Sequence, residues 1–378
     1  MGRFNQRSSI ELIPGIDIHT MALGMVTCVI AGVVAIWFYA NFIYDEAAAR
    51  AKQEKGIKKF EASEIVSLRI YPIKSCRGIE VEDSRLYKTG LDLDRQWMFI
   101  DLETRQFLTI RSDPSMTLID TGLGGNDKGR WVDLHVSIHD TEKHVKVPCY
   151  PTSEWLQENT KLTKVEIWGD ETDAWEYDDK INSIFTDFFK KPVALVFKGP
   201  TPRMARGNGS PELYGKEQEH HFADVMSVQV ASEASLADLN SRLDAAGHEQ
   251  LTIERFRPNI IVKGNKPWEE DRWKKVRVST TDHVREAIWK MELDVLCHCA
   301  RCQVPNVNPD TAEKDAHEPW DTLMKFRRID QGGPAKYKPC FGMLCIPQKD
   351  GPIAVGAKLE VLEYTDNHLY NEARFEDL

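Results

Sequence analysis

From Cys297 to Asp310 the chain reads Cys-His-Cys-Ala-Arg-Cys-Gln-Val-Pro-Asn-Val-Asn-Pro-Asp, so three thiols and an imidazole fall within six residues. That density suits neither packing nor ordinary disulfides, whose Cα atoms need a separation of roughly 4.4 to 6.8 Å and suitably directed side chains. It points instead to a soft metal or a reactive thiolate. Arg301 directly precedes Cys302, and a neighbouring guanidinium favours the thiolate, the form that binds metal. Cys302 is therefore the leading candidate. A zinc site and a merely buried cysteine cluster are the competing readings. Cys297, Cys299 and Cys302 with Cys340 or Cys345 could supply four thiolates. Against zinc, one residue separates the first pair where zinc knuckles place two to four. Cys340 and Cys345 also lack the further cysteine that a plant-type iron–sulfur cluster needs.

The elements that must hold this cluster read mostly as strands. Trp289, Met291, Leu293 and Val295 alternate with Lys290, Glu292 and Asp294, as in a half-buried strand feeding a loop, and Pro305 and Pro309 keep the exit from becoming a helix. Val66, Leu68 and Ile70 alternate likewise, and Pro72 ends that strand. The loop after it sets Lys74 beside Ser75, a cation and a hydroxyl at a strand end, an arrangement suited to an oxyanion. Residues 97–101 and 106–109 read as a hairpin with Arg95 at its mouth, and 132–138, 165–167 and 193–197 as further strands. Residues 227–230 form another strand, with Asp224 just before it, and the last barrel strand is expected within 352–361, around Gly356.

Helices are fewer. Ile181, Ile184, Phe185 and Phe188 have the spacing of one apolar helical face. Ser235 and Asp238 have the spacing of a capping box, with Leu236, Leu239 and Leu243 as the buried stripe behind it. Between the halves, Gly199, Pro200, Pro202, Gly207 and Gly209 mark a linker in which Arg203 and Arg206 are expected to be solvated, a place over a cofactor mouth being the alternative.

The formal net charge of −10, from 49 basic and 59 acidic residues, argues against a general nucleic-acid binder. Residues 21–40 are apolar without a charge, long enough for a helix to cross a bilayer. A cleaved signal peptide is the competing reading, but its apolar core is normally only about 7 to 15 residues. Basic residues cluster after this segment at Arg50, Lys52, Lys55, Lys58 and Lys59. By the positive-inside rule the large C-terminal part then faces the cytosol. There the eight cysteines stay reduced, and the sequon at Asn208 is silent. No dinucleotide fingerprint and no Cys-x-x-Cys-His haem site is present, so any redox chemistry must borrow electrons.

Arg301, Cys302 and Asn308 to Thr311, preceded by 232–240 (Ser-Glu-Ala-Ser-Leu-Ala-Asp-Leu-Asn) and by Phe256 to Asn259, resemble the MOSC superfamily. The likeness is greatest to the mitochondrial amidoxime-reducing components, over roughly 63–365. The resemblance implies a mixed α+β, mostly β fold: an N-terminal tail (1–20), a transmembrane anchor (21–44), a charged stalk (45–62), a MOSC N-terminal β-barrel-like domain (63–200), a MOSC β-barrel (201–365) and a C-terminal tail (366–378). It implies a molybdenum–molybdopterin cofactor with Cys302 as the metal's protein ligand and Asp224 near the metal as a second catalytic residue, orienting a metal-bound water or relaying a proton. The cofactor cradle would comprise Lys74, Ser75, Arg95, Val225, Met226, Arg257, Asn259 and Arg301. Val225 and Met226 stand where relatives carry small hydroxyl residues, which removes any side-chain hydrogen bonds there. The implied reaction is reduction of amidoximes, hydroxylamines and N-oxides with electrons from cytochrome b5 and its NADH-dependent reductase, at the mitochondrial outer membrane or endoplasmic reticulum. A sulfur carrier for cofactor maturation and a zinc-stabilised interaction module are the alternatives.

Overall fold

Apolar alternation along several strands has to be buried on one side, and the chain does this by closing a sheet on itself. The computed structural model describes residues 61–370, apart from 283–286, 331 and 333–335, together with seven isolated positions between 23 and 40. The expected anchor and stalk fall almost wholly outside the described residues. Among the described residues no helix is long and apolar enough to cross a membrane.

Seven strands form the barrel, in spatial order Ala62–Ile70, Ile260–Val262, Val228–Ser232, Cys340–Pro347, Ala287–Ala300, Trp273–Asp282 and Lys358–Tyr364, the last pairing back onto the first. Closure leaves these staves no free edge. All neighbours are antiparallel except Val228–Ser232 with Ile260–Val262, which run parallel. Leu68, Val230, Val262, Val278, Leu293, Met343 and Leu359, one from each strand, are fully buried, so the barrel is a packed core and its chemistry must sit outside that core.

The N-terminal module is threaded between the first barrel strand and the rest. Its main sheet runs Trp97–Asp101, Val193–Lys198, Asp170–Tyr177, Thr160–Ile167. The helix Asp179–Phe189 packs Phe185 and Phe189 edge-on to Phe99, with ring centroids 4.8 and 5.7 Å away. A second meander joins Ile119–Gly124, Asp133–Ile138 and His144–Pro148.

Local expectations shift in four places. In the first strand Ile65, Leu68 and Ile70 are buried while Val66 is only half-buried, because a register shift lies between Ile65 and Ser67. Residues 97–101 pair with Val193–Lys198, and 106–109 contribute only isolated bridges, Phe107 with Ile100 and Gln106 with Glu166. The wholly buried run Val193 to Val196 is the stronger partner. The helix after 227–230 spans Glu233–Ala245 and is capped by Ser232, which accepts from Ser235 N at 3.1 Å; its start is three residues earlier than the spacing suggested. Finally, Gly356, at φ +80°, separates Gly351–Ala354, paired with Asp83–Tyr87, from the closing strand itself.

Candidate functional site

The cysteine strand does not stop short of its cluster. It runs through Cys297 and Cys299 to Ala300, with register shifts between Val295 and Cys297 and between His298 and Ala300. Such irregularities re-aim side chains, and here Cys297, Cys299 and Cys302 all reach the wall of one cavity of about 780 Å³. Cys297 is buried, whereas Cys299 and Cys302 are partly open. Every residue that the resemblance assigned to the cofactor or the metal lines this space: Lys74, Ser75, Arg95, Asp224, Val225, Met226, Arg257, Asn259, Arg301 and Cys302; Cys340 and Cys345 do not.

Backbone contacts bring the distant loops together. Lys74 N donates to Trp97 O at 2.8 Å, Arg95 N to Tyr71 O at 2.9 Å, and Phe222 N to Arg95 O at 2.9 Å. Ser75, Arg95 and Arg257 hold left-handed backbones at φ 69°, 51° and 56°, a conformation seen mainly where surrounding structure enforces it. The guanidinium groups of Arg95 and Arg257 lie over the Tyr71 ring at 4.4 and 4.2 Å. Arg95 Nη1 donates to Asp94 at 2.6 Å and Arg257 Nη1 to Cys76 O at 2.7 Å. Both cations are thereby fixed in direction.

Lys74 and Asp224 form an ion pair, and Lys74 Nζ also donates to Phe222 O at 2.9 Å. Burial pulls the Lys74 ammonium down to about 8, with Asp224 opposing that shift. Burial acts on the Asp224 carboxyl in the opposite sense to what prevails. The charge and hydrogen bond of Lys74, the Trp168 N–H and Arg111 together hold it well below the usual carboxylate range. The Asp224 side chain is nonetheless 53% exposed, which leaves it within reach of a ligand.

Arg301 behaves differently from its sequence reading. Its Nη1 donates to Cys299 Sγ at 2.9 Å and to Gln229 Oε1 at 3.2 Å, and its Nη2 to Phe256 O at 3.0 Å. The guanidinium thus rests on Cys299, two residues back, because the strand geometry points it inward beside Gln229. Gly342 permits this: at φ +78° a Cβ there would meet Gln229 Nε2 at 2.8 Å. Burial pushes the Cys299 thiol up, with Arg301 pulling against it, and pushes Cys297 up to about 12. Asn259 is nearly sealed; its Oδ1 accepts from Gln229 N at 3.1 Å and its Nδ2 donates to Arg69 O at 3.2 Å. It ties two barrel strands together beneath the cavity. Val225 and Met226 pack with Leu296 and Cys297.

Arg203, expected in solvent, is buried on the cavity wall, donating through Nη1 to Ala223 O at 2.6 Å. It stands by His220, which burial and then Arg203 push down to about 3. A glycine- and proline-rich linker gave no signal that it folds back over the barrel. Trp168, Arg111 and Gln229 were also missed. The only hint was a tryptophan before a glycine between two alternating runs.

The MOSC domain family matches residues 217–360, and the MOSC N-terminal beta barrel domain family matches residues 62–192. The chain belongs to the MOSC family. The mitochondrial amidoxime-reducing component 1 of Danio rerio is 29% identical over 307 residues, which are 79% of this chain and 85% of that protein. The human protein of the same name is 28% identical over 79% of this chain and 82% of its own. The molybdenum cofactor sulfurase of Arabidopsis thaliana is 31% identical over 76% of this chain but only 33% of its own length. The MOSC cavity is walled by both matched regions: Lys74, Ser75, Arg95 and Trp168 come from the first, and Asp224, Arg257, Arg301 and Cys302 from the second. Arg203 lies in the stretch between them.

Proposed function

We propose that this MOSC protein is a molybdenum-cofactor oxidoreductase that reduces N-hydroxylated compounds, amidoximes and hydroxylamines among them. The observation that carries the reading is the lining of the cavity, where eight cationic side chains (Lys74, Arg95, Arg111, Arg203, Arg206, Arg257, Arg301, Lys338) face three anionic ones (Glu166, Asp170, Asp224) around a partly open thiol. A pterin dithiolene with a phosphate tail fits such a wall. The Nε atoms of Arg203 and Arg301 are buried without a hydrogen-bond partner, a costly condition that an anionic ligand would relieve.

Cys302 would complete the metal's coordination through its thiolate, while Lys74, Ser75, Arg95, Arg257 and Arg301 would hold the pterin and its phosphate. Val225 and Met226 can offer that ligand only backbone groups and apolar contact. The cofactor supplies two-electron chemistry at a metal, by which the N–O bond of a hydroxylamine is broken and, with two electrons and two protons taken up, the amine and water are formed. Lys74, with its ammonium held near 8 and paired to Asp224, is placed to hold and pass one of those protons. As the sequence resemblance implies, cytochrome b5 and its NADH-dependent reductase would deliver the electrons. The apolar run at 21–40 and the basic residues after it support membrane anchoring through residues 21–44 with the catalytic part in the cytosol, and the relatives' names support a mitochondrial membrane.

Elemental analysis of protein made with cofactor available tests the proposal: about one molybdenum per chain is expected, with NADH-dependent benzamidoxime reduction once both electron-transfer partners are added. Zinc, or no metal, would sink it. The match to a sulfurase supports a second reading, in which Cys302 carries a persulfide. Intact mass one sulfur atom heavier, lost on reduction, would establish that instead. Among the described residues no group of three or more histidine, cysteine or acidic side chains converges on a metal position, which disfavours the zinc module.

A further inference from the structure

A hairpin tip meets Asp224 from across the cavity. The strands Thr160–Ile167 and Asp170–Tyr177 are joined by two residues, Trp168 and Gly169, with Ile167 opposite Asp170. Both turn residues have positive φ, 51° and 82°. Turns of this kind are made by Asn-Gly or Gly-Gly, and a bulky side chain there is strained. The contacts that offset the strain are made over the cavity. Trp168 Nε1 donates to Asp224 Oδ1 at 2.8 Å. Its ring meets Phe107 edge-on at 4.7 Å and carries the Arg111 guanidinium at 4.2 Å, yet remains 43% exposed.

We propose that Trp168 is a positioning and specificity-determining residue: its indole N–H sets the direction of the Asp224 carboxylate, and its ring, with Phe107, forms the wall against which a flat aromatic substituent of the N-hydroxylated substrate lies. Strain kept at a position where asparagine would be free of it is strain kept for the site. This rests on the reductase reading above, but the contact between Trp168 and Asp224 does not.

Two variants separate the two duties. Trp168→Asn relieves the turn and removes the ring. The purified chain should melt at the same temperature or slightly higher, and kcat/KM for benzamidoxime should fall by roughly tenfold or more, while KM for hydroxylamine, which has no ring, stays within about twofold. Trp168→Phe keeps an aromatic, if smaller, ring and loses the N–H. It should lower kcat for both substrates by about tenfold and leave KM for benzamidoxime within about twofold. If the Asn variant treats both substrates alike, or the Phe variant matches wild type, the proposal is overturned. Independently of activity, the indole N–H resonance that disappears in Trp168→Phe should move in Asp224→Asn; an unmoved resonance refutes the contact. Should the wild type reduce neither compound with molybdenum bound, the reductase reading fails, and the resonance still decides whether Trp168 positions Asp224.

Discussion

The strand Val228–Ser232 leads from one carboxylate environment to another, and the two have opposite character. Before its start, Asp224 is kept ionised by Lys74 and Trp168 while half its side chain faces the cavity. At its end, Glu270 is fully buried and accepts from Ser235 Oγ at 2.7 Å and Ser232 Oγ at 3.2 Å. Burial pushes it up to about 7, and the two hydroxyls do not compensate as a cation would. Desolvation acts on both acids; only Asp224 has an ammonium in direct contact. One barrel thus carries an ionised, half-open carboxylate at one end and a buried one with a raised pKa at the other, and the partner decides which.

The comparison breaks most visibly at the thiol. Cys302→Ala should lower benzamidoxime reduction by at least about a thousandfold, about 4 kcal/mol in the barrier, and abolish molybdenum retention. The variant's melting temperature should barely move. Cys299→Ala loses an acceptor of Arg301 and a weak donor to Gln229 and should cost less than about tenfold. Metal content and steady-state kinetics of the two variants side by side check this; equal losses would assign the site to the cluster as a whole.

At the other end the effect belongs to stability. A carboxyl whose folded value lies near 7 binds more protons folded than unfolded between its ordinary 4.5 and 7. Its stabilising contribution is complete below 4.5 and is lost as pH rises through 7. Glu270→Gln should therefore match wild type at about pH 4.5 and exceed it at about pH 8 by on the order of 3 kcal/mol, with benzamidoxime turnover unchanged. Urea denaturation at both pH values reads this directly, and a parallel shift at the two would remove the contrast with Asp224.

The smallest effect sharpens the cavity side. Asp224→Asn keeps the shape and loses the charge that holds Lys74. Its kcat should fall about ten- to a hundredfold with little change in melting temperature. A variant that loses stability in proportion to activity would place Asp224 with Glu270, as a structural acid.

Much of this molecule was legible before any coordinates. Met291, Leu293 and Val295 marked their strand because period-two burial leaves a local trace. The helix Asp179–Phe189 was equally plain from its apolar spacing. Register shifts were not legible: Val66 keeps the alternation on paper, but a bulge after Ile65 turns it aside. Nor was the fate of Arg203, whose polar, glycine-rich neighbourhood reads as a solvated linker although the side chain is buried against Ala223 O.

By itself the sequence determined which groups were chemically able to act: a thiol after an arginine, a lysine beside a serine, an aspartate ahead of a strand. Tertiary structure alone decided how they meet. It turned Arg301 onto Cys299, closed both ends of the Asn259 amide into the barrel, and laid a strained tryptophan from the N-terminal module against Asp224. The physical reason is that strand alternation is written in neighbouring residues, whereas the direction of a charged or polar side chain is set by partners that only folding brings near.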